Sequence, residues 1–347
     1  MTSALRIVGA SPLTTIQDTG RPGYARFGVP AGGAIDPEGL FAANALVGNA
    51  GGVGALEIIS SGPSLVVEAQ SVRVAFFGAL ASITVLGDAP GRMGRRVAPG
   101  QSLILLRGQI VKVGALTGSA VMYMAVEGGF AIEPVMGSVS TFPRGALGGV
   151  SGRRLHPGDV LPLNRDAASD RQESKLDLPV GWRRDRFRVV DGPQRDYFDN
   201  RAFEVFLGGE FVVGAARDRM GMRFEGAALR HNLGYNIVSD GIVPGSVQVP
   251  GDGFPIVLLR DHQTTGGYPK IATVITADLG ALGRAPAGSR ISFERVSLGV
   301  AARALRDMSD RLDEFARAVR PVAVREEDLD ALLGSANLIS GVSSAHV

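Results

Sequence analysis

Short apolar runs punctuated by glycine and proline dominate this chain. They fall at Ser64–Glu68, Val72–Phe77, Ile83–Leu86, Ser102–Leu106, Val111–Val113, Val121–Val126, Phe187–Val190, Phe211–Val213, Ile256–Leu259 and Ile271–Thr276. Segments of this length, rich in β-branched residues and bounded by turn formers, read as strands. Few helix-length segments separate them. The pattern argues against a doubly wound α/β fold and for a mainly β protein made of barrels or sandwiches.

Two helices stand out against this background. One follows Asp36-Pro37, where Asp can cap and Pro suits the first turn, and runs over Glu38–Val47 to a Gly48-Asn49 stop. The other covers Gly299–Arg320 and ends at Pro321, with Ala301, Leu305, Met308, Leu312, Phe315 and Val319 forming one apolar stripe. Packing on the chain's own core accounts for that stripe more simply than a partner does. A shorter acidic helix is expected over Arg325–Leu333, ahead of a Ser/Gly-rich tail. The polar stretch Asn164–Lys175 reads as a linker, dividing the chain into domains over 1–165 and 176–298 and a helical extension over 299–347. A similarity between Gly20–Gly28 and Arg219–Gly226 supports two related halves.

Composition narrows the function classes. A chain of 347 residues, 45% hydrophobic and 20% charged, is globular and long enough to bury a sizeable core. With 36 basic and 34 acidic residues and no dense Lys/Arg run, no nucleic-acid partner is expected. The absence of cysteine excludes disulfides, thiolate nucleophiles and cysteine-ligated metals, and fits a reducing cytoplasm. The start of the chain lacks a signal-peptide core, and no apolar stretch is long enough to span a membrane as a helix. A soluble cytoplasmic protein is the expectation.

Several familiar motifs are missing. There is no phosphate-binding GxxxxGK[ST], no strand-to-helix GxGxxG, no HExxH, no GxSxG and no biotin-carrying Ala-Met-Lys-Met. His156, His231, His262 and His346 stand alone, so no metal centre is expected.

Three blocks are too dense in glycine, charge and hydroxyls to be ordinary strands. The first, Leu13–Tyr24 continuing over Gly28–Asp36, is a loop whose glycines permit positive φ and close ligand approach. Asp18 and Arg21 are its ligand-facing charges, although a turn salt bridge would explain them equally well. Asp36 is accounted for as a helix cap. The second block, Ser239–Pro255, is stiffened by proline and glycine and offers Gln248 as a ligand-facing amide, or as a solvent-facing strand residue. The third, Asp261–Lys270, joins two strands with hydroxyls, glycines and a lysine that suit a phosphate, a carboxylate or a carboxybiotin oxygen.

These blocks resemble the KipA family, also called allophanate hydrolase subunit 2 or biotin-dependent carboxyltransferase. The likeness runs over about residues 5–295 and is carried by LTTIQDTGRPGY, GVPAGGAID, Ser140–Gly145, Asp218–Gly221, SDGIVPGSVQVPGDGFPIVLL and DHQTTGGYPKIATVITADL. His262, Met222 and Phe142-Pro143 depart from the family pattern inside these blocks, which bears on substrate identity. The resemblance implies two cyclophilin-like β-barrel domains with a few helices, including the C-terminal amphipathic one. It also implies a KipI-like partner chain (allophanate hydrolase subunit 1, or the B component of a 5-oxoprolinase).

Three functions follow from it. The first is ATP-dependent 5-oxoprolinase, with ATP and Mg²⁺ shared with the KipI-like chain and a LamB/YcsF-like A component. The second is carboxyl transfer from carboxybiotin, carried on another protein, to urea or an amide. The third is regulation, by antagonising a KipI-like kinase inhibitor. For either reaction the candidate catalytic groups are Asp18, Arg21, Arg144, Asp240, Asp261 and Lys270. The candidate substrate- or anion-binding groups are Gln248, Gln263, Thr264, Thr265, Gly266, Gly267 and Tyr268.

Overall fold

The apolar runs pair into two facing sheets and one closed barrel, with every pairing antiparallel except one in the barrel. The computed structural model describes residues 3–9, 11, 13–87, 94–179 and 181–322. The acidic helix expected over 325–333 lies outside the described residues.

The first sheet has six strands, in the order Val160–Pro162, Ala4–Gly9, Ser64–Val67, Ile110–Thr117, Leu80–Leu86 and Arg95–Val97. The second has five: Thr15–Gln17, Ala55–Ile59, Val121–Val126, Ser71–Phe77 and Ser102–Leu106. Strand periodicity explains the composition of its centre. Met122, Met124 and Val126 point into the core shared by both sheets, while Val121, Tyr123 and Ala125 point the other way, under helices. A strand covered on both faces has no solvent side, so its sequence is apolar throughout.

The barrel closes through Arg186–Asp191, Lys270–Val274, Ser246–Gln248, Ile256–Leu258, Gly221–Glu225, Phe211–Arg217 and Arg290–Arg295, the last strand running parallel to the first. Phe187, Phe211, Phe224 and Phe293 fill its interior. Each such buried side chain contributes roughly 1.5–3 kcal/mol of hydrophobic stabilisation.

Among the described residues there are four α-helices: α1 (Pro37–Val47), α2 (Asn200–Gly208), α3 (Thr276–Arg284) and α4 (Leu298–Ala318). Helix α2 seats Phe206 against Phe293, with ring centroids 4.6 Å apart. Helix α4 lies across α1 and α3 and so ties both halves together. Its stripe matches the expectation at Met308 and Phe315, but Leu305 is exposed and Ala304 takes the buried place.

Two details depart from the sequence reading, and a third adds to it. The strand expected to end at Thr276 stops at Val274, and Thr276 opens α3. Asp36 precedes α1, but its side chain makes no cap hydrogen bond; it turns to Arg284 at 2.7 Å. The polar segment 164–175 is strapped down rather than free. Arg73, fully buried, pairs with Glu127 at 2.8 Å and Glu173 at 3.1 Å and donates to the carbonyls of Ser169 and Arg171. A buried guanidinium needs counter-charges and acceptors, and that polar segment supplies most of them.

Candidate functional site

The hydrogen bonds sort the candidate residues into two groups. The first lies where the sheet half meets the barrel. Asp18 is held by four donors: the Gly20 N–H at 2.7 Å, Ser138 Oγ at 2.6 Å, Ser140 Oγ at 2.5 Å and the Val139 N–H at 2.8 Å. Arg21 is 1% exposed and donates to the carbonyls of Val135 and Ser140. Its Nη1, however, is buried without a partner. Gly32, at φ 61°, lies against this atom and Asp261. A Cβ there would sit 3.4 Å from Arg21 Nη1 and 3.8 Å from Asp261 Oδ1.

Asp261 is claimed from the barrel side. Arg219 grips it with two hydrogen bonds, 2.8 and 2.9 Å, and also bonds Glu57 and the Gly33 carbonyl of the other half. Arg144 belongs to this junction too. It sits exposed on the short turn Pro143–Gly145, lining a small cleft of about 60 Å³ together with Thr15, Arg219 and Asp261.

The second group is at the barrel mouth. Lys270, 2% exposed, pairs with the half-exposed Asp240 at 2.8 Å. That ion pair pins a small flap, in which Asp240–Gly241 pairs with Thr265–Gly266. Beneath the flap Gln248, opposite Lys270 in the ladder, is 2% exposed with its Nε2 unpartnered. Gly266 lies close over it, since a Cβ there would come 2.7 Å from that Nε2. Gln263, Thr265 and Tyr268 are exposed and Thr264, Gly266 and Gly267 half-buried along the connection between the groups.

Sequence reasoning left out the network that holds the junction. Glu57 accepts from Tyr123 at 2.6 Å and from the Ile35 N–H at 2.7 Å, besides its bond to Arg219. Burial, with the charges of Glu57 and Asp36, pushes the Tyr123 hydroxyl well up, so it stays a donor. Burial drives the Arg219 guanidinium down, but Asp261 and Glu57 outweigh it and hold it above its ordinary value. Arg21 lacks such compensation: burial lowers it against the opposing pull of Asp18 and Asp261. His262, buried beside Asp261, is lowered by desolvation and is therefore neutral at pH 7. The signal for Glu57 was a lone carboxylate inside the apolar strand Ala55–Ile59. Among the described residues, no group of three or more His, Asp or Glu side chains converges as a metal site. Nor is any helix among them long and apolar enough to cross a membrane.

Comparison with known proteins agrees with this architecture. Residues 27–295 match the family model described as the carboxyltransferase domain, subdomain A and B. The chain is 37% identical to the 5-oxoprolinase C subunit of Haemophilus influenzae, over 90% of this chain and 98% of that protein. It is 35% identical to the Escherichia coli 5-oxoprolinase C subunit, over 90% and 97%. Among solved structures, the Kluyveromyces lactis urea carboxylase superposes with a TM-score of 0.79 at 27% identity, covering 94% of this chain and 30% of that one. Sequence blocks, strand topology and these relatives converge, and the chain belongs to the carboxyltransferase family of subdomains A and B.

Proposed function

We propose that this chain is the C-type component of an ATP-dependent 5-oxoprolinase, converting 5-oxo-L-proline, ATP and water to L-glutamate, ADP and phosphate together with partner chains. The observation that carries the proposal is the unfilled Arg21 Nη1 beside Gly32 and Asp261, in a chain that aligns over 90% of its length with two 5-oxoprolinase C subunits. A buried donor without a partner costs stability, commonly about 1–3 kcal/mol, and an anionic or carbonyl oxygen entering there removes the cost.

The residues fit a division of labour. A lactam carbonyl is a poor electrophile, and phosphate transfer from Mg²⁺-ATP to its oxygen makes ring opening feasible. Asp18, with its donors all in place, positions the loop that presents Arg21. Arg21 Nη1 and Gln248 Nε2 offer donors to substrate oxygen, and Arg144 adds positive charge at the rim. Both Asp261 oxygens are occupied by Arg219, and Asp240 is occupied by Lys270. The chain is thus equipped for positioning and charge stabilisation, and the proton acceptor and most of the nucleotide contacts fall to a KipI-like chain and a LamB/YcsF-like A component.

The test is ATP hydrolysis by the three proteins together, with and without 5-oxoproline. Hydrolysis that needs 5-oxoproline and releases glutamate is expected, and Arg21→Lys should raise KM at least tenfold because lysine lacks the second, forked donor. No stimulation from three folded, associated proteins would refute this reading. Biotin-dependent carboxyl transfer would then take its place, favoured by the likeness to a urea carboxylase over 94% of this chain.

A further inference from the structure

A groove of about 580 Å³ lies between the barrel and the start of α4. Its walls are nearly all apolar: Val243 and Pro244, Val274, Ile275 and Leu279, then Leu298, Ala301 and Leu305 of α4. Three of these stand open to solvent, Val243 at 55%, Leu298 at 76% and Leu305 at 47%. No carboxylate lines it, yet it contains one guanidinium, Arg260.

Arg260 is half-buried and has no hydrogen-bond or ion-pair partner among the described residues. The acids whose charge reaches it, Glu57 and Asp36, are already engaged by Arg219 and Arg284. Desolvation pushes its guanidinium below the ordinary value, with Tyr123, Glu57 and Asp36 only partly opposing. Proteins rarely leave such a charge unpaired. Beside it, α3 begins at Thr276 with no side-chain cap.

We propose that this groove binds a free carboxylic acid with an apolar body, its carboxylate on Arg260 and its chain along Leu279, Leu298 and Leu305. The volume falls within the usual range for small-molecule sites, and the composition matches: mostly apolar walls with a few polar groups to fix orientation. A phosphate or a small polar acid would leave the apolar walls uncovered, and a neutral lipid would leave Arg260 unpaired. The proposal is independent of the oxoprolinase reading, because neither Arg21 nor Gln248 takes part.

The experiment is calorimetric titration of the full chain with octanoate, with octanol and acetate as the charge-free and tail-free controls. Octanoate should bind saturably and at least tenfold more tightly than either control. Arg260→Met, which keeps an apolar side chain, should weaken octanoate at least tenfold, in line with loss of a charge-assisted hydrogen bond. Leu305→Asp changes an exposed position of α4 and should weaken it comparably. Unchanged unfolding midpoints show that the variants are folded. Octanol binding as tightly as octanoate, or Arg260→Met binding as the parent does, overturns the proposal. So does a second copy of the chain occupying the groove, seen as a dimer by sedimentation that octanoate leaves intact.

Discussion

Arg219 reaches from the barrel into the sheet half and satisfies two buried acids at once. Glu57 is 0% exposed and Asp261 4% exposed, and the guanidinium bonds both as well as the Gly33 carbonyl. Methionine at position 219 keeps an apolar stem but leaves the two carboxylates facing each other without a cation. Breaking a buried pair by removing one partner costs about 3–5 kcal/mol, because the remaining charge is stranded rather than because the pair itself is strong. Against a total stability of order 5–15 kcal/mol, that loss is large. The assay is urea unfolding followed by the fluorescence of Trp182, the single tryptophan, whose indole N–H bonds the Gly78 carbonyl. Glu57→Gln provides the decisive control. If stranded charge is the cause, the double variant is less destabilised than the sum of the singles by about 1 kcal/mol or more. A loss below about 1 kcal/mol for Arg219→Met, or strict additivity in the cycle, would refute the reasoning.

Other expectations are more local. Gln248→Leu should leave the urea midpoint unchanged or slightly raised, since an unpartnered buried donor disappears, yet should raise KM in the assembled enzyme. Asp18→Asn should destabilise by about 2 kcal/mol, because the amide turns an N–H toward groups that all donate. Asp36 has its carboxyl raised by burial, with Arg284 only partly opposing. A raised folded value means its contribution is fully present at acid pH and lost as pH rises through that value. The stability of the parent relative to Asp36→Asn should therefore fall from pH 4 toward neutrality, measured by urea unfolding across that range.

What could be read from the sequence was local. The apolar runs, the Gly48 stop of α1 and the three Gly-rich blocks announce themselves through short-range periodicity and turn chemistry, and each appears in the fold. What stayed hidden depends on contacts between distant residues. Helix α3 carries two glycines in TADLGALGR and has weak intrinsic helicity; its Asp278 is instead anchored by Arg188 at 2.7 Å from another strand. Asp36 looks like a cap until Arg284, brought in by α3, claims it. The two site groups were adjacent stretches of one block, Asp261 at one end and Lys270 at the other. Only the fold shows that the first faces the sheet half while the second pins a flap.

The same geometry decides what kind of ligand the junction favours. The carboxylates there are saturated: Asp18 accepts from four donors, and Asp261 is chelated by Arg219. Arg21 Nη1 there is buried without an acceptor, as is Gln248 Nε2 at the barrel mouth. A buried donor without an acceptor, as at Arg21 Nη1, matches ligand oxygen that carries or gains negative charge. Both reactions considered for the family present such oxygen, as a substrate carboxylate, a lactam oxygen or a carboxybiotin oxygen. On the proposed reading the choice between them lies in the partner chains, and Arg21 Nη1 offers its free donor to either oxygen.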